Sequence, residues 1–242
     1  AQIDDGNRKY ISKFSSTTDL YSVAKAELVA MRLAALAGLD VASVKLSSSL
    51  NKDVLLVERF DRMHSEAGWQ RKLMVSALTM LALGEMMARY ASYDDLAVLI
   101  RHRFYDASAT LRELFSRLVF NVLCGNTDDH ARNHAAFWDG QTLRLTPAYD
   151  ICPQGRTGHE ASQAMLLAGD DRMSRISSCL KAAGHFLLSR EEAIAVSVAV
   201  KMERFGRFEA GVAKRAPRER RRRRQVSVRR RPDPSCDSFC PR

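Results

Sequence analysis

Residues 126–137, NTDDHARNHAAF, crowd two adjacent carboxylates, two imidazoles, two amides and a guanidinium into one stretch before the chain turns apolar. The segment just before it, SATLRELFSRLVFNVLCG (108–125), carries apolar residues at helical spacing. A polar segment delivered by an apolar helix is either a solvated loop or a reactive one. What decides between them must lie elsewhere in the chain.

Upstream, RKYISKF (8–14) alternates apolar and polar residues and predicts a strand, with Tyr10, Ser12 and Phe14 on one face and Ile11 and Lys13 on the other. SSTTDLY offers helix-capping residues. Apolar positions from Leu20 to Leu36 then recur at three and four until Gly38 stops the helix. VASVKLS (41–47) and DVLLVERFD (53–61) predict two more strands, joined by the turn-like SSSLNK.

Beyond Trp69 the pattern turns helical. Segments 74–90, 93–104 and 108–125 are helix candidates, TLRLTPAYDI (142–151) interrupts them with a strand, and 161–167 and 190–205 are two further helices. The methionines of LTMLALGEMM sit at helical spacing and read as core filler. The chain therefore divides into a partial, strand-rich small lobe at 1–68 with a hinge near 57–61, a helical large lobe at 69–204, and a basic tail at 205–242.

Charge follows the same division. Residues 204–242 hold 14 Lys and Arg against 4 Asp and Glu, whereas 1–203 hold 24 of each. The net charge of +10 belongs to the tail, and the body has no electrostatic case for nucleic acid. With few apolar anchors and dense like charge, the tail is expected to be disordered. No apolar run reaches the roughly 18 residues that a membrane span needs. The polar N-terminus has no signal-peptide core. Five scattered cysteines without metal-type spacing read as reduced thiols, so the expected location is the cytoplasm.

The polar loop gains a meaning from what flanks it. Phosphoryl transfer needs a carboxylate to orient the attacking hydroxyl, hard oxygen ligands for Mg²⁺, and a lysine reaching the phosphates from another lobe. Asp128 is followed five residues later by Asn133, and Asp150 comes after the strand-like LRLTPAY. Lys13 lies on a strand, Glu27 lies in the helix that follows, and VERF (57–60) sits where a strand would enter an interlobe hinge. That is the order of parts in a protein kinase.

NTDDHARNHAAF and LRLTPAYDI, together with KYISKF, AELVAMRLAALAGL, LLVERFDR and SALTML, resemble the HipA-like kinases, the toxin components of bacterial toxin–antitoxin pairs. The resemblance covers roughly 8–200 and implies an α+β, protein-kinase-like two-lobe fold with a truncated N-terminal lobe and a mainly helical C-terminal lobe. It implies a serine/threonine-protein kinase that uses ATP and Mg²⁺, acts on a protein substrate and pairs with a HipB-like, DNA-binding antitoxin. By motif, Asp128 would be the catalytic base, and Asn133 and Asp150 would ligate Mg²⁺. Lys13, steadied by Glu27, would contact ATP phosphates. The Glu58, Arg59 and Phe60 stretch would meet adenine through its backbone, and His130 would lie near the nucleotide. Asp129 has no role by motif, Arg132 serves phosphate or structure, and His134 packs.

Two departures carry expectations of their own. Family members have a glycine- and serine-rich loop covering the phosphates just before the segment that opens this chain, so an inactive fragment is the alternative reading. The arginine-rich end replaces the family's closing segment, as a frameshifted GC-rich reading frame would. Finding that closing segment in another frame of the locus tests this. An alternative of another class is a nucleic-acid-binding protein acting through the tail.

Overall fold

A computed structural model of the chain describes residues 2–16, 21–50, 52–155, 158 and 160–201. The first sheet has four strands, β1 (Gln2–Asp4), β2 (Lys9–Phe14), β3 (Val44–Ser49) and β4 (Lys52–Glu58), in the order β1-β2-β4-β3, all antiparallel. Tyr10, Ser12 and Phe14 stand opposite Glu58, Leu56 and Val54, while Ile11 and Lys13 stand opposite Val57 and Leu55. Residues paired across an antiparallel ladder share a face. Leu55 and Val57 belong to the main core, so the register turns Lys13 toward the same side as that core. Tyr10, Val54 and Leu56 form a separate small cluster on the opposite face.

Helix α1 (Val23–Leu36) packs on the core side of this sheet. Its buried stripe of Ala24, Glu27, Leu28, Ala30, Met31 and Ala34 repeats at three and four, and Glu27 is the one charged member. Ser22 caps the helix and donates to Asp53 on β4, which Lys25 also meets at 2.8 Å.

A hairpin of β5 (Arg62–Ser65) and β6 (Gly68–Arg71) follows. Residues 74–90 are not the helix that their periodicity predicts. They split into β7 (Met74–Ser76), the short α2 (Ala77–Met80) and a 3₁₀ turn at Glu85–Tyr90. Met74–Ser76 pair with Phe137–Ala135, Ala82 adopts φ 52°, and Gly84 precedes the 3₁₀ turn, so sheet pairing and two turns override the helical pattern. Of the methionines of LTMLALGEMM, Met80 packs against the core as expected, whereas Met86 is 85% exposed and Met87 is also exposed.

The helical core comprises α3 (Tyr93–Arg103), α4 (Ala107–Cys124), α5 (Ile176–Ala182) and α6 (190–201). Segment 161–167, expected to be helical, is irregular and bent, held by Ser162 opposite Met173 and Leu166 beside Ser92. A three-stranded sheet of β7, β8 (Ala135–Trp138) and β9 (Leu143–Leu145) flanks these helices. Helix α4 is the spine, with Leu111, Leu114, Phe115, Leu118, Val119 and Phe120 all buried. It ends at Gly125 in a left-handed cap, φ 78°, which a glycine adopts without steric cost. No helix among the described residues is long and apolar enough to cross a membrane. The predicted basic tail, 205–242, lies outside the described residues.

Candidate active site

The loop between α4 and β8 is tied down along its length by backbone hydrogen bonds. Asn126 N donates to Asn121 O at 2.9 Å, Asn133 N to His130 O at 2.8 Å, Leu78 N to Ala131 O at 3.2 Å, and Ala77 N to His134 O at 2.7 Å. Loop 126–134 is thus fixed by the end of α4 on one side and by α2 on the other. Asp128 is exposed, His130 is half-buried and Asn133 is buried. The Asn133 amide donates from Nδ2 to the Asp128 carbonyl at 3.4 Å, which leaves Oδ1 to face another partner.

Directly beneath lies a buried polar cluster. Asp129, 3% exposed, accepts from the Tyr93 hydroxyl, and His134 Nε2 lies 3.1 Å from Asp129 Oδ1. Burial by itself would raise the Asp129 carboxyl. The His134 imidazole and the hydrogen bonds from His134, Tyr93 and Asn121 outweigh burial and hold it below the usual carboxylate range. Burial, with Asp129 beside it, pushes the Tyr93 phenol well above its ordinary value.

The other half of the site comes from the first sheet. Lys13 Nζ lies 2.6 Å from Glu27 Oε1 and also meets Asp150 Oδ1. Asp150 reaches it because 146–150 is not a continuation of β9, which ends at Leu145. Instead Ala148 N donates to Asp40 O at 2.8 Å and Ala42 N to Ala148 O at 2.9 Å, pinning this segment beside the connection from α1 to β3. Asp150 then takes φ 61°, a left-handed conformation that Asp tolerates better than most residues. Tyr149 donates to Arg132 O at 2.6 Å, linking this segment to the polar loop, and Arg132 pairs with Glu85.

Above the lysine opens a cavity of about 280 Å³. Ile11, Val57, Phe60, Met74 and Tyr149 give it apolar walls, and Lys13 and Asp150 line it as well. Glu58, Arg59 and Phe60 form its strand edge. The Arg59 guanidinium is held by Asp61 at 2.8 and 2.6 Å, and Glu58 pairs with Arg8 at 3.0 Å. Their charged ends are therefore committed to neighbours, and so are two backbone donors, Glu58 N to Ser43 O at 2.8 Å and Arg59 N to Lys9 O at 2.7 Å.

Of the sequence-predicted site residues, the structure joins Lys13, Glu27 and Asp150 in direct contact, sets Glu58, Arg59 and Phe60 on the same cavity, and joins Asp128 to Asn133. Asp128, Asn133 and His130 do not line that cavity. Sequence reasoning missed Tyr93, whose helical spacing marks it only as core, and Met74, hidden inside a false helix. Asp61, the last residue of the hinge stretch 57–61, also lines the cavity and was missed as a site residue. Cys124, at the end of α4, is half-buried. Burial pushes the Cys152 thiol, close to Lys13 and Asp150, up to about 11, so no thiolate nucleophile is prepared here.

A sheet with one buried helix, a lysine–glutamate pair beneath a cleft and a helical body presenting a polar loop define a protein-kinase-like α+β fold. The sequence matches the HipA-like C-terminal domain over residues 1–219, and this chain belongs to that family. The match runs past residue 205 into the arginine-rich segment. The chain is 28% identical over 142 residues to the serine/threonine-protein kinase toxin HipA of Shewanella oneidensis, covering 52% of this chain and 33% of that protein. The chain spans between 33% and 40% of the length of the curated relatives it matches. Its fold is similar to that of HipA from Shewanella oneidensis in a complex with HipB and operator DNA, with a TM-score of 0.74 and 21% identity, covering 87% of this chain and 53% of that one. It is also similar to the Helicobacter pylori proinflammatory kinase CtkA, with a TM-score of 0.58 and 16% identity, covering 84% and 88%.

Proposed function

We propose that this chain transfers the γ-phosphoryl group of ATP to a serine or threonine hydroxyl of a protein. The observation that carries this reading is the convergence of Lys13, Glu27 and Asp150 at one end of an apolar cavity. In this reading residues 1–68 are the small lobe, 57–61 the hinge and 69–204 the large lobe. Adenine lies between the apolar walls and meets the backbone of Glu58–Phe60. Lys13 grips the phosphates, and Glu27 keeps its ammonium aimed. His130 lies near the nucleotide. Asp128, exposed at the front of its loop, orients the acceptor hydroxyl and takes its proton.

The donor set suits a hard divalent cation. Asp150 offers a carboxylate at the cavity, and Asn133 keeps Oδ1 available because its Nδ2 is spent on Asp128 O. Mg²⁺ on Asn133 and Asp150 would offset charge on the phosphates. Two protein ligands suit an ion that keeps several waters. Lys13 is shared between Glu27 and Asp150, so phosphate arrival would draw the ammonium from Asp150 and free that carboxylate.

Titration with ATP in Mg²⁺ tests the reading. Binding that is lost in Asp150→Asn supports it, and absence of binding by the parent chain removes it in favour of an inactive fragment. By similarity to the HipA structure solved with HipB and operator DNA, we also propose a HipB-like antitoxin as partner. Failure of the full chain to co-elute with such an antitoxin on gel filtration would remove that part alone.

A further inference from the structure

We propose that Asp129 is a positioning residue, the centre of a buried Tyr93–Asp129–His134 clamp that sets where Asp128 and Asn133 stand; this rests on the kinase reading given above. Asp129 directly follows Asp128, and His134 directly follows Asn133. Two ties therefore cross the same loop on adjacent rungs. The outer one runs from Asn133 Nδ2 to Asp128 O at 3.4 Å, and the inner one from His134 Nε2 to Asp129 Oδ1 at 3.1 Å. Any slip of the inner tie moves both outer residues, because each is one peptide away from it.

The clamp is fastened to the helical core rather than floating with the loop. Tyr93 opens α3, its backbone N–H donates to Leu166 O at 2.9 Å, and its hydroxyl reaches Asp129. Its ring also meets the edge of the His134 ring, with centroids 5.4 Å apart, and lies 6.3 Å from Phe186. Packing alone does not account for this cluster. Burying a carboxylate costs free energy that an apolar side chain would avoid, and apolar replacements of buried ion pairs are often no less stable. Directional partners on both carboxylate oxygens instead select a single loop geometry.

The test compares the full chain with Asp129→Asn, Tyr93→Phe and a control, Val196→Ala. Val196 is buried on α6, outside the 126–134 loop. Two quantities are read for each: hydrogen exchange of peptides covering 126–134 and 23–36, and ATP-dependent phosphoryl transfer. Asp129→Asn should speed exchange in 126–134 while leaving 23–36 unchanged. It should also lower kcat about 100-fold at an unchanged KM for ATP, the scale of a catalytic group displaced by about 1 Å. Tyr93→Phe keeps the His134–Asp129 contact and should show the same pattern more weakly, and it carries the test if Asp129→Asn does not fold. Val196→Ala should lower the melting temperature without the local exchange change or the kcat loss. Loop exchange unaltered in both clamp variants, or losses that merely follow melting temperature as in the control, would overturn the proposal. If the parent chain transfers no phosphate, the kinase reading fails and the exchange comparison alone decides the clamp.

Discussion

Lys13 Nζ lies 2.6 Å from Glu27 Oε1, yet the two side chains are buried to very different degrees, 34% exposed for the lysine and 4% for the glutamate. Burial opposes the charge on both groups, but only on Glu27 does it prevail. Burial raises its carboxyl despite the opposing pull of Lys13, while on Lys13 the attraction of Glu27 and Asp150 outweighs burial and raises the ammonium. Removing the lysine would strand a charge in the core.

Lys13→Met should therefore lower stability by about 2 kcal/mol, below the 3–5 typical of a fully buried pair because the lysine is partly exposed. Adding Glu27→Leu should restore most of that loss, since the stranded charge goes with it. Urea unfolding of both variants measures this, and phosphoryl transfer should be absent from each. A double variant less stable than the single one would mean that Glu27 holds the fold through other partners.

Asp128→Ala separates chemistry from binding. The side chain is exposed, so stability should change by no more than about 0.5 kcal/mol. Phosphoryl transfer should fall by about 10²–10⁴-fold, the range for losing a positioned base. Calorimetric ATP affinity should stay at the parent value, because Asp128 does not line the cavity. Transfer at the parent rate would take Asp128 out of the base role.

Asp171 gives the fold an acid-sensitive point away from the site. Its carboxylate accepts from Met173 N and Ser178 Oγ, each at 2.9 Å, and from Lys181 Nζ at 3.1 Å. The backbone bond to Met173 is the largest effect, and together these bring the carboxyl down to about 2. A depressed carboxyl contributes stability that is fully present above its unfolded value of about 3.9 and is lost as pH falls through the folded one. Asp171→Asn should therefore melt lower than the parent at pH 6, with the gap closing between about pH 4 and pH 2. Melting curves across that range give the answer, and a gap independent of pH would assign the loss to packing.

What could be read in the sequence depended on which force set each element. Period-two alternation in KYISKF put Lys13 and Ile11 on one face, and the register with Leu55 and Val57 bears this out, because pleating alone fixes it. α4 was equally plain, since an apolar stripe ending in glycine has few alternatives. The failure at 74–90 has the opposite cause: Met74–Ser76 become a strand because Ala135–Phe137 are there to pair with, a long-range partner that no local window contains. The predicted helix at 161–167 fails for the same reason, its backbone bonds going to Ala91 and Arg172. At the site, the order of Lys13, Glu27, Asp128, Asn133 and Asp150 was legible as spacing. The pairing of Asp129 with Tyr93 was not, because 36 residues separate them and each looks ordinary in its own segment.

Ile11 offers the sharpest probe of the cavity because it lines it together with Phe60 and Tyr149 while remaining 44% exposed. A larger residue there can enter the cavity without displacing the core behind Val57. Ile11→Trp should fold with an unchanged melting temperature and lose at least about tenfold in ATP affinity, equivalent to about 1.4 kcal/mol. Ile11→Ala, which widens the same space, should weaken binding less, since it removes one wall contact without blocking entry. The comparison separates occlusion from lost contact. If Ile11→Trp binds ATP as the parent does, the nucleotide does not use this cavity, and the placement of Glu58–Phe60 against adenine fails with it.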